Sequence, residues 1–326
     1  MFGRRAPSFL LGVPLKKMRA LVVGVALVLV SAACGSSGER AGDVGEETER
    51  NAVLGDGDRL SVAVFGGTGS DVGRSVAVDG SGNVYTTGSF QGTVDFDPGA
   101  GTTNLVSAGA ADVFVSKLDA SGNLVWAKRF GSTGYDEGWS VAVDGLGNVY
   151  TIGSFWGTVD FDPGVNTVNL VSAGAADVFV SKLNASGNLV WAKRFGSTLN
   201  DVGNSVAVDG SGNVYTTGYF QGTVDFDPGV NTVNLVVVGQ RDVFVSKLDA
   251  SGNLVWAKSF GGTGIDGGES VAVDGSGNVH TTGEFYGTVD FDPSSGTTKL
   301  TSAGYEDVFV SKLNACLLYT SPSPRD

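Results

Sequence analysis

Four pairs of aspartates, each split by a phenylalanine, are the residues of this chain whose types and spacing best suit chemistry. Alternate residues of a β-strand point to the same face, so the two carboxylates of a pair can meet one cation. Hard cations such as calcium bind carboxylate and carbonyl oxygens. The spacing therefore predicts a calcium site, and the alternative is that one Asp caps the following turn while the other is solvated. The pairs are Asp95 and Asp97, Asp160 and Asp162, Asp225 and Asp227, and Asp290 and Asp292.

Two further acidic patterns favour turns over ligands. Asp79-Gly80-Ser81-Gly82-Asn83 alternates oxygen-bearing side chains like the start of an EF-hand loop, but the glutamate that completes such a loop is missing. A hairpin turn accounts for every residue of that motif. Another set stands two residues before a glycine, where we expect it to cap backbone amides, with ligand contact as the alternative. Its members are Asp71, Asp136, Asp201 and Asp266.

The catalytic inventory is small. His280 is the single histidine, and the two cysteines, Cys34 and Cys316, flank the repeated region. Histidine-based triads and histidine-rich zinc sites are therefore disfavoured. Paired carboxylates serve glycosidases, but those need an asymmetric pair, whereas these acids recur identically in every copy. We predict a protein that is not an enzyme and requires no cofactor beyond the candidate calcium.

Positions that differ between otherwise identical copies are candidates for recognition. One such set is Gln91, Trp156, Gln221 and Tyr286, and another is Ser89, Ser154, Tyr219 and Glu284. Variation beside fixed neighbours predicts exposed sites. Trp156, Tyr219 and Tyr286, with Glu284, are candidate ligand-binding residues for a carbohydrate or peptide, and drift on a solvated edge is the alternative. In contrast, the recurring Trp126, Trp191 and Trp256 are expected in packing between repeats.

These residues belong to a tandem repeat of 65 residues. Val-Ala-Val-Asp-Gly, Phe-Asp-Pro and Asp-Val-Phe-Val-Ser-Lys-Leu each recur four times in one register. Three motifs that keep a common spacing indicate repeat architecture. The copies begin near residues 75, 140, 205 and 270.

Each copy has the pattern of two β-hairpins. Short β-branched and aromatic runs flank Gly-Asn-containing turns, so four strands are expected per copy. The surplus from Gly92 to Ala111 predicts an extra hairpin or ordered loop, with Pro98-Gly99 at its turn. The run from Leu60 to Gly66 aligns with the last strand of a copy and is expected to be an orphan final strand. The predicted fold is an all-β propeller of four-stranded blades.

The residues Asp79-Gly-Ser-Gly-Asn-Val-Tyr-Thr-Thr-Gly88, repeated from Asp144, Asp209 and Asp274, resemble the bacterial seven-bladed beta-propeller repeat family. His280 replaces Tyr in the fourth copy. The resemblance covers about residues 60–315 and implies a propeller, a seven-fold ring and an exported location. It implies no single activity.

The ends of the chain differ from the repeats. Residues 1–33 have a basic stretch, an apolar core and small residues, typical of an export signal. Ser31-Ala32-Ala33-Cys34 resembles a lipobox with Ser in place of the usual Leu, so Cys34 is the predicted lipidation site, and an ordinary cleaved signal is the alternative. Residues 34–59 resemble a flexible acidic tether, and 60–315 hold the repeats. Residues 316–326 resemble translated sequencing adaptor, so we expect the natural protein to continue past Ala315.

The charge limits the partners. From Cys34 onward, 16 basic residues stand against 34 acidic ones, a net charge of −18. Such a surface disfavours nucleic acid and anionic lipid and favours cations or basic partners. We predict an exported, lipid-anchored surface propeller that binds or scaffolds a protein or glycan and meets the membrane only through its anchor. The alternatives are a carbohydrate-active enzyme using blade-face carboxylates and a purely structural envelope protein.

Overall fold

The computed structural model describes residues 62–315, and the predictions for the signal, Cys34, the tether and the tail lie outside this range. The described range consists of strands and turns without a helix, which confirms the all-β prediction. Consequently it holds no helix long and apolar enough to cross a membrane.

The strands follow the 65-residue repeat. The first copy contains β1 (Val72–Val78), β2 (Val84–Phe90), β3 (Thr93–Asp95), β4 (Asn104–Val106), β5 (Asp112–Leu118) and β6 (Leu124–Phe130). The second contains β7 (Glu137–Val143), β8 (Val149–Phe155), β9 (Thr158–Asp160), β10 (Asn169–Val171), β11 (Asp177–Leu183) and β12 (Leu189–Phe195). The third contains β13 (Val202–Val208), β14 (Val214–Phe220), β15 (Thr223–Asp225), β16 (Asn234–Val236), β17 (Asp242–Leu248) and β18 (Leu254–Phe260). The fourth contains β19 (Gly267–Val273), β20 (Val279–Phe285), β21 (Thr288–Asp290), β22 (Lys299–Thr301) and β23 (Asp307–Leu313).

Each copy folds into one blade and one small hairpin. The first three blades are four-stranded antiparallel sheets, ordered β1-β2-β5-β6 in blade 1 and equivalently in blades 2 and 3. Blade 4 is the three-stranded sheet β19-β20-β23 within the described range. The strands between the two blade hairpins pair with each other, as β3 does with β4. The extra hairpin predicted for each copy is therefore confirmed.

The hydrophobic core lies between blades, so a sheet on its own would expose the apolar residues of its faces. Val113 and Val115 of β5 and Val141 of β7 are buried in one cluster that spans blades 1 and 2. Equivalent clusters join blade 2 to 3 and blade 3 to 4. The first strands β1, β7, β13 and β19 lie side by side in that order. The result is a β-propeller-like stack in which each sheet buries its faces against its neighbours.

The extra hairpin places a phenylalanine side chain in the core beside each blade. Phe161, just after β9, lies 5.5 Å from Phe130 of the preceding blade, 5.5 Å from Phe155 and 4.9 Å from Phe179, measured between ring centroids. Offset and edge-to-face aromatic pairs of this kind are favourable. The Phe-Asp-Pro motif thus anchors the hairpin in the junction between two blades.

The prediction of a strand over Leu60–Gly66 is wrong for the described part of that run. Residues 62–65 join no ladder, and Gly66 makes only an isolated bridge with Asp95. Phe65 nevertheless stacks on Phe96 at 5.7 Å, as Phe130 does on Phe161. The run holds the place of a preceding blade's last strand, but no described third strand lies beside it. Four blades are described, and the seven-fold ring stays a prediction.

Candidate functional site

A β-bulge occurs at the same point in the first strand of every blade. The register between first and second strands shifts between Gly73 and Ser75 in blade 1 and at the equivalent residues of the other blades. A bulged residue has no partner across the ladder, so its side chain is free of the pairing constraint. We name the four bulged residues the bulge strip: Arg74, Trp139, Asn204 and Glu269.

Neighbouring members of the bulge strip touch across the blade junctions. The Arg74 guanidinium lies 4.0 Å from the centroid of the Trp139 ring. Asn204 Nδ2 donates to the carbonyl of Gly268 at 2.9 Å and lies 3.5 Å from Glu269 Oε1. The indole Nε1 of Trp139 is buried and has no hydrogen-bond partner within residues 62–315. The strip is thus a row of four different side chains on adjacent inner strands.

The glycine before each bulge is fixed by packing, in contrast to the bulged residue. A Cβ at Gly138 would lie 3.0 Å from Val113 Cγ1 of the preceding blade, and one at Gly203 would lie 2.8 Å from Val178 Cγ1. Both approaches are closer than ordinary van der Waals contact. Glycine therefore recurs at this position because the blades stack there, while the next residue varies.

An acidic cluster extends the strip at the junction of blades 3 and 4. Arg241 Nη2 donates to Glu284 Oε1 at 2.6 Å, and the guanidinium lies 4.4 Å from the centroid of the Tyr219 ring. Burial raises the pKa of Glu269, and the charge of Glu284 adds to that rise while Arg241 opposes it. Glu284 is paired with Arg241, whereas Glu269 has no ion-pair partner among the described residues and feels the charges of both.

The junction of blades 1 and 2 has a different character. Arg74 Nη2 donates to Glu137 Oε1 at 3.0 Å, and both side chains are roughly one-quarter exposed. The guanidinium has one carboxylate partner there and stacks on Trp139. The strip therefore runs from a charge-balanced aromatic end to an acidic end.

The structure separates the four predicted ligand-binding residues. Trp156 and Tyr286 are 41% and 44% exposed, as expected for recognition residues. Tyr219 is half-buried under Arg241, which also holds Glu284. The expected exposure is wrong for the equivalent Ser89 and Ser154, which are 5% and 6% exposed because the next blade covers the second strand. Tyr219 and Glu284 thus join the strip cluster, whereas Trp156 and Tyr286 lie outside it.

The aspartate pairs of the hairpins accept backbone amides. Asp160 lies at the end of β9, while Asp162 lies in the following loop and not on the strand. Asp160 Oδ1 accepts the N–H groups of Asp162 at 3.0 Å and Val168 at 2.8 Å, and Asp162 Oδ1 accepts that of Gly164 at 2.8 Å. The other hairpins repeat the Asp160 pattern. Residues 62–315 contain no cluster of three or more metal-binding side chains. Calcium binding stays a prediction.

The aspartates before the first strands cap amides, as predicted. Asp136 Oδ2 accepts the N–H of Ser132 at 2.6 Å, and its Oδ1 accepts that of Trp156 at 2.8 Å. Burial raises the pKa of Asp136 to about 6 despite these bonds. Asp201 has the same environment and the same pKa.

A second buried aspartate lies near each of the capping residues Asp136, Asp201 and Asp266. One of these three second aspartates has no arginine partner. Asp112 and Asp177 pair with Arg129 and Arg194, but Ser259 occupies the equivalent position near Asp242. Asp242 accepts the Val238 amide at 3.0 Å, while its Oδ1 is buried without a hydrogen-bond partner in the described range. Burial, followed by the charge of Asp266, raises the pKa of Asp242 to about 6.

The Asp79 motif is a turn, which confirms the prediction. Asp79 Oδ1 accepts the amides of Ser81 and Asn83, and Oδ2 accepts from the Asn83 side chain and the Tyr85 hydroxyl. Gly82 has φ of +80°, a conformation that glycine adopts without strain. Although the slight burial raises the pKa of Asp79, the hydrogen bonds from Asn83, Tyr85 and Ser81 lower it to about 2.

Sequence reasoning missed the bulge strip. The signal that singled out Tyr219 and Glu284 was variation between copies at a fixed position. The same signal marks the strip, since Arg, Trp, Asn and Glu stand there between an invariant Gly and an invariant Ser. The bulge that frees this position became visible only with the strand register.

Comparison with known proteins agrees with this architecture. Two curated proteins are similar to the chain: an uncharacterised WD repeat-containing protein of Acanthamoeba polyphaga mimivirus, 26% identical over 204 residues, and the regulatory protein FlaEY of Caulobacter vibrioides, 27% identical over 231 residues. The first match covers 53% of this chain and 14% of the relative, and the second covers 68% and 23%. The chain thus spans less than a quarter of either relative.

A family model described as Beta-propeller repeat, abbreviated SBBP, matches three segments: residues 64–89, 125–158 and 190–219. The matched segments cover the first strands and most or all of the second strands of blades 1 to 3, together with most of the last strands β6 and β12. Together with the stacked blades, these matches show that three segments of the chain are similar to the Beta-propeller repeat and that the fold is β-propeller-like.

Proposed function

We propose that this protein is an extracellular binding scaffold that uses the bulge strip and the adjoining acidic cluster to hold a basic segment of a partner protein. The observation that carries the proposal is the row of four unlike side chains at one structurally fixed position of adjacent inner strands. Recognition residues vary on a rigid scaffold in many binding proteins.

The charge arrangement supports a basic ligand. Glu284 pairs with Arg241, the charge of Glu284 raises the pKa of Glu269, and the chain from Cys34 onward is strongly acidic. A lysine or arginine side chain placed at Glu269 would offset the cost of holding two carboxylates together. Trp139 and Tyr219 offer aromatic surface beside these charges, a composition common at protein interfaces.

The names of the two similar proteins support a role in protein interaction. One relative is a WD repeat-containing protein and the other is a regulatory protein. Neither relative's name describes catalysis, and this chain has a single histidine with which to build a catalytic site. The proposed role is therefore binding, and a carbohydrate-active or purely structural role is the competing possibility.

The proposal places the scaffold outside the cell, anchored through lipid on Cys34. The basic and apolar segments before Cys34, followed by small residues, support this placement. A tether over residues 34–59 would hold the blades away from the membrane.

A displayed library of random peptides tests whether the protein prefers a basic ligand. We expect selection on the immobilised protein to enrich peptides containing Lys or Arg. Binding of an enriched synthetic peptide should weaken about tenfold or more in a variant with Glu269→Gln and Glu284→Gln, because both charges that attract the basic residue are lost.

Glu306→Gln is the matched control, since Glu306 is an exposed carboxylate of blade 4 outside the strip. It should leave the affinity unchanged. Equal weakening by both variants would show that net charge, not the strip, binds the peptide. Enrichment of peptides without basic residues, or glycan binding to a carbohydrate array that depends on Trp156 and Tyr286, would contradict the proposal.

A further inference from the structure

We propose that the junction of blades 3 and 4 binds a calcium ion at Asp242, where an arginine side chain neutralises the equivalent carboxylate in each of the two preceding junctions. The site uses none of the bulge-strip residues and none of the hairpin aspartates. It therefore goes beyond the proposed peptide binding, and either activity can fail without the other.

Asp112, Asp177 and Asp242 hold one position in successive blades. Each begins the third strand of its blade and is at most 1% exposed. One oxygen of each carboxylate accepts a backbone amide from four residues earlier, as Asp242 Oδ2 accepts that of Val238 at 3.0 Å. The other oxygen, Oδ1, is buried without a hydrogen-bond partner in the described range. A charged carboxylate in this state is costly to bury unless a cation neutralises it.

An arginine supplies that cation in the first two blades. In blade 1, Arg129 pairs with Asp112 from the penultimate position of the last strand. In blade 2, Arg194 pairs with Asp177 from the same position. Ser259 is the equivalent residue of blade 3 and brings no charge. The third junction therefore keeps the buried carboxylate without the group that neutralises it in the other two.

A second buried carboxylate adds to the negative charge of this junction. Asp266 is fully buried, and its two oxygens accept the amides of Gly262 and Tyr286 at 2.8 and 2.9 Å. Burial raises the pKa of Asp242 to about 6, and the charge of Asp266 contributes to that rise, so the two aspartates are close neighbours. A divalent cation beside Asp242 would offset the repulsion between them.

The arginine that precedes Asp242 in the sequence has other partners. Arg241 Nη2 donates to Glu284 Oε1 at 2.6 Å, and its guanidinium lies over the ring of Tyr219. Arg241 opposes the rise that burial gives to the pKa of Asp266, but no ion pair joins it to Asp242 among residues 62–315. It therefore does not take the role that arginine has in the other two blades.

The change from arginine to serine also gives an ion access to Asp242. Arg129 and Arg194 are about one-third exposed, so each reaches its aspartate from the surface. Ser259 is half-buried, and its short side chain leaves room along the same path. Calcium prefers carboxylate, hydroxyl and water oxygens, which this position offers. We expect a dissociation constant of about 0.1–1 mM, the range of calcium sites in extracellular modules.

Reciprocal exchange of the residue at this position tests the site. Equilibrium dialysis over a range of labelled calcium concentrations counts the ions bound per full chain, in about 0.15 M KCl to screen the acidic surface. Ser259→Arg should lower the count by one, because the guanidinium takes the place of calcium. Arg194→Ser should raise it by one, because the second junction then resembles the third. Any calcium on the hairpin aspartates contributes equally to both variants.

A matched pair of carboxylate variants separates the site from the surface charge. Asp242→Asn removes the buried charge and should lose one ion. Asp249→Asn, at a turn of the same blade, should lose none, and its equivalent in blade 2 is already Asn184. Circular dichroism checks that every variant folds, and arginine already occupies the Ser259 position in two blades. Equal counts for the unaltered chain and Ser259→Arg, no gain in Arg194→Ser, or equal losses in the two Asn variants would overturn the proposal.

Discussion

At the scale of single residues, a position that differs between repeat copies can be compared like a mutant with its parent protein. Asp112, Asp177 and Asp242 occupy one buried position, but an arginine accompanies only the first two. A carboxyl whose pKa is higher in the folded chain stabilises the fold when protonated. For Asp242 this contribution is full below the ordinary pKa of 3.8 and is lost as the pH rises through about 6.

Ser259→Arg should therefore stabilise the protein above pH 6 and have little effect at pH 4. The introduced guanidinium would hydrogen-bond the charged form of Asp242, for which we expect about 1–1.5 kcal/mol in the free energy of unfolding. Urea unfolding at pH 4 and pH 8 measures the difference. Arg194→Ser is the matched control and should lose stability at pH 8. A pH-independent gain on Ser259→Arg would contradict the assignment to Asp242.

His280 offers a second natural substitution. Tyr85, Tyr150 and Tyr215 donate to the aspartate of their turn at 3.0 Å, whereas His280 Nε2 lies 3.5 Å from Asp274 Oδ2. His280→Tyr should add one hydrogen bond, worth about 0.5–1 kcal/mol at this half-exposed site. Tyr215→Phe, the reverse change in blade 3, should destabilise by a similar or larger amount. Thermal unfolding compares the two, and destabilisation by His280→Tyr would refute the expectation.

At the scale of elements, the small hairpin is a part of the core and not an appendage. Its Phe161 contacts three aromatic rings from two blades. Phe161→Ala should lower the free energy of unfolding by about 3–5 kcal/mol because it leaves a cavity at a blade junction. Val165→Ala, at a fully exposed residue of the same hairpin, should change it little. Equal effects of the two changes in urea titration would show that Phe161 is not an anchor.

The hairpin aspartates allow a sharp test of calcium. Asp160 already caps its loop through Oδ1, and asparagine keeps that acceptor while removing the charge. If calcium binds these carboxylates, it should raise the melting temperature of the unaltered protein, and a variant with Asp160 and its three equivalents changed to Asn should lose part of that rise. A melting temperature that does not respond to calcium would leave the carboxylates as loop caps alone.

At the scale of the whole molecule, the proposed lipid anchor on Cys34 would determine where the scaffold works. Cys34→Ala should abolish incorporation of a labelled fatty acid in a bacterial host and release the protein from the membrane fraction, because a diacylated cysteine supplies the anchor. A variant with Cys316→Ala is the control and should stay anchored. Membrane retention of the Cys34→Ala protein would contradict lipidation at this site.

The sequence by itself determined the fold class, the 65-residue period, the turns at Asp79 and its equivalents, and the packing role of Trp126. These features depend on turn residues and on the alternation of apolar residues, and both can be recognised within short segments of the sequence. The tertiary structure alone decided that Arg74 and Trp139 meet, that Arg241 joins Tyr219 to Glu284, and that Asp242 is buried without a cation. Residues a full repeat apart become neighbours only when the blades stack. A β-bulge is defined by strand register, and a buried carboxylate without a cation is defined by packing, so residue type alone reveals neither.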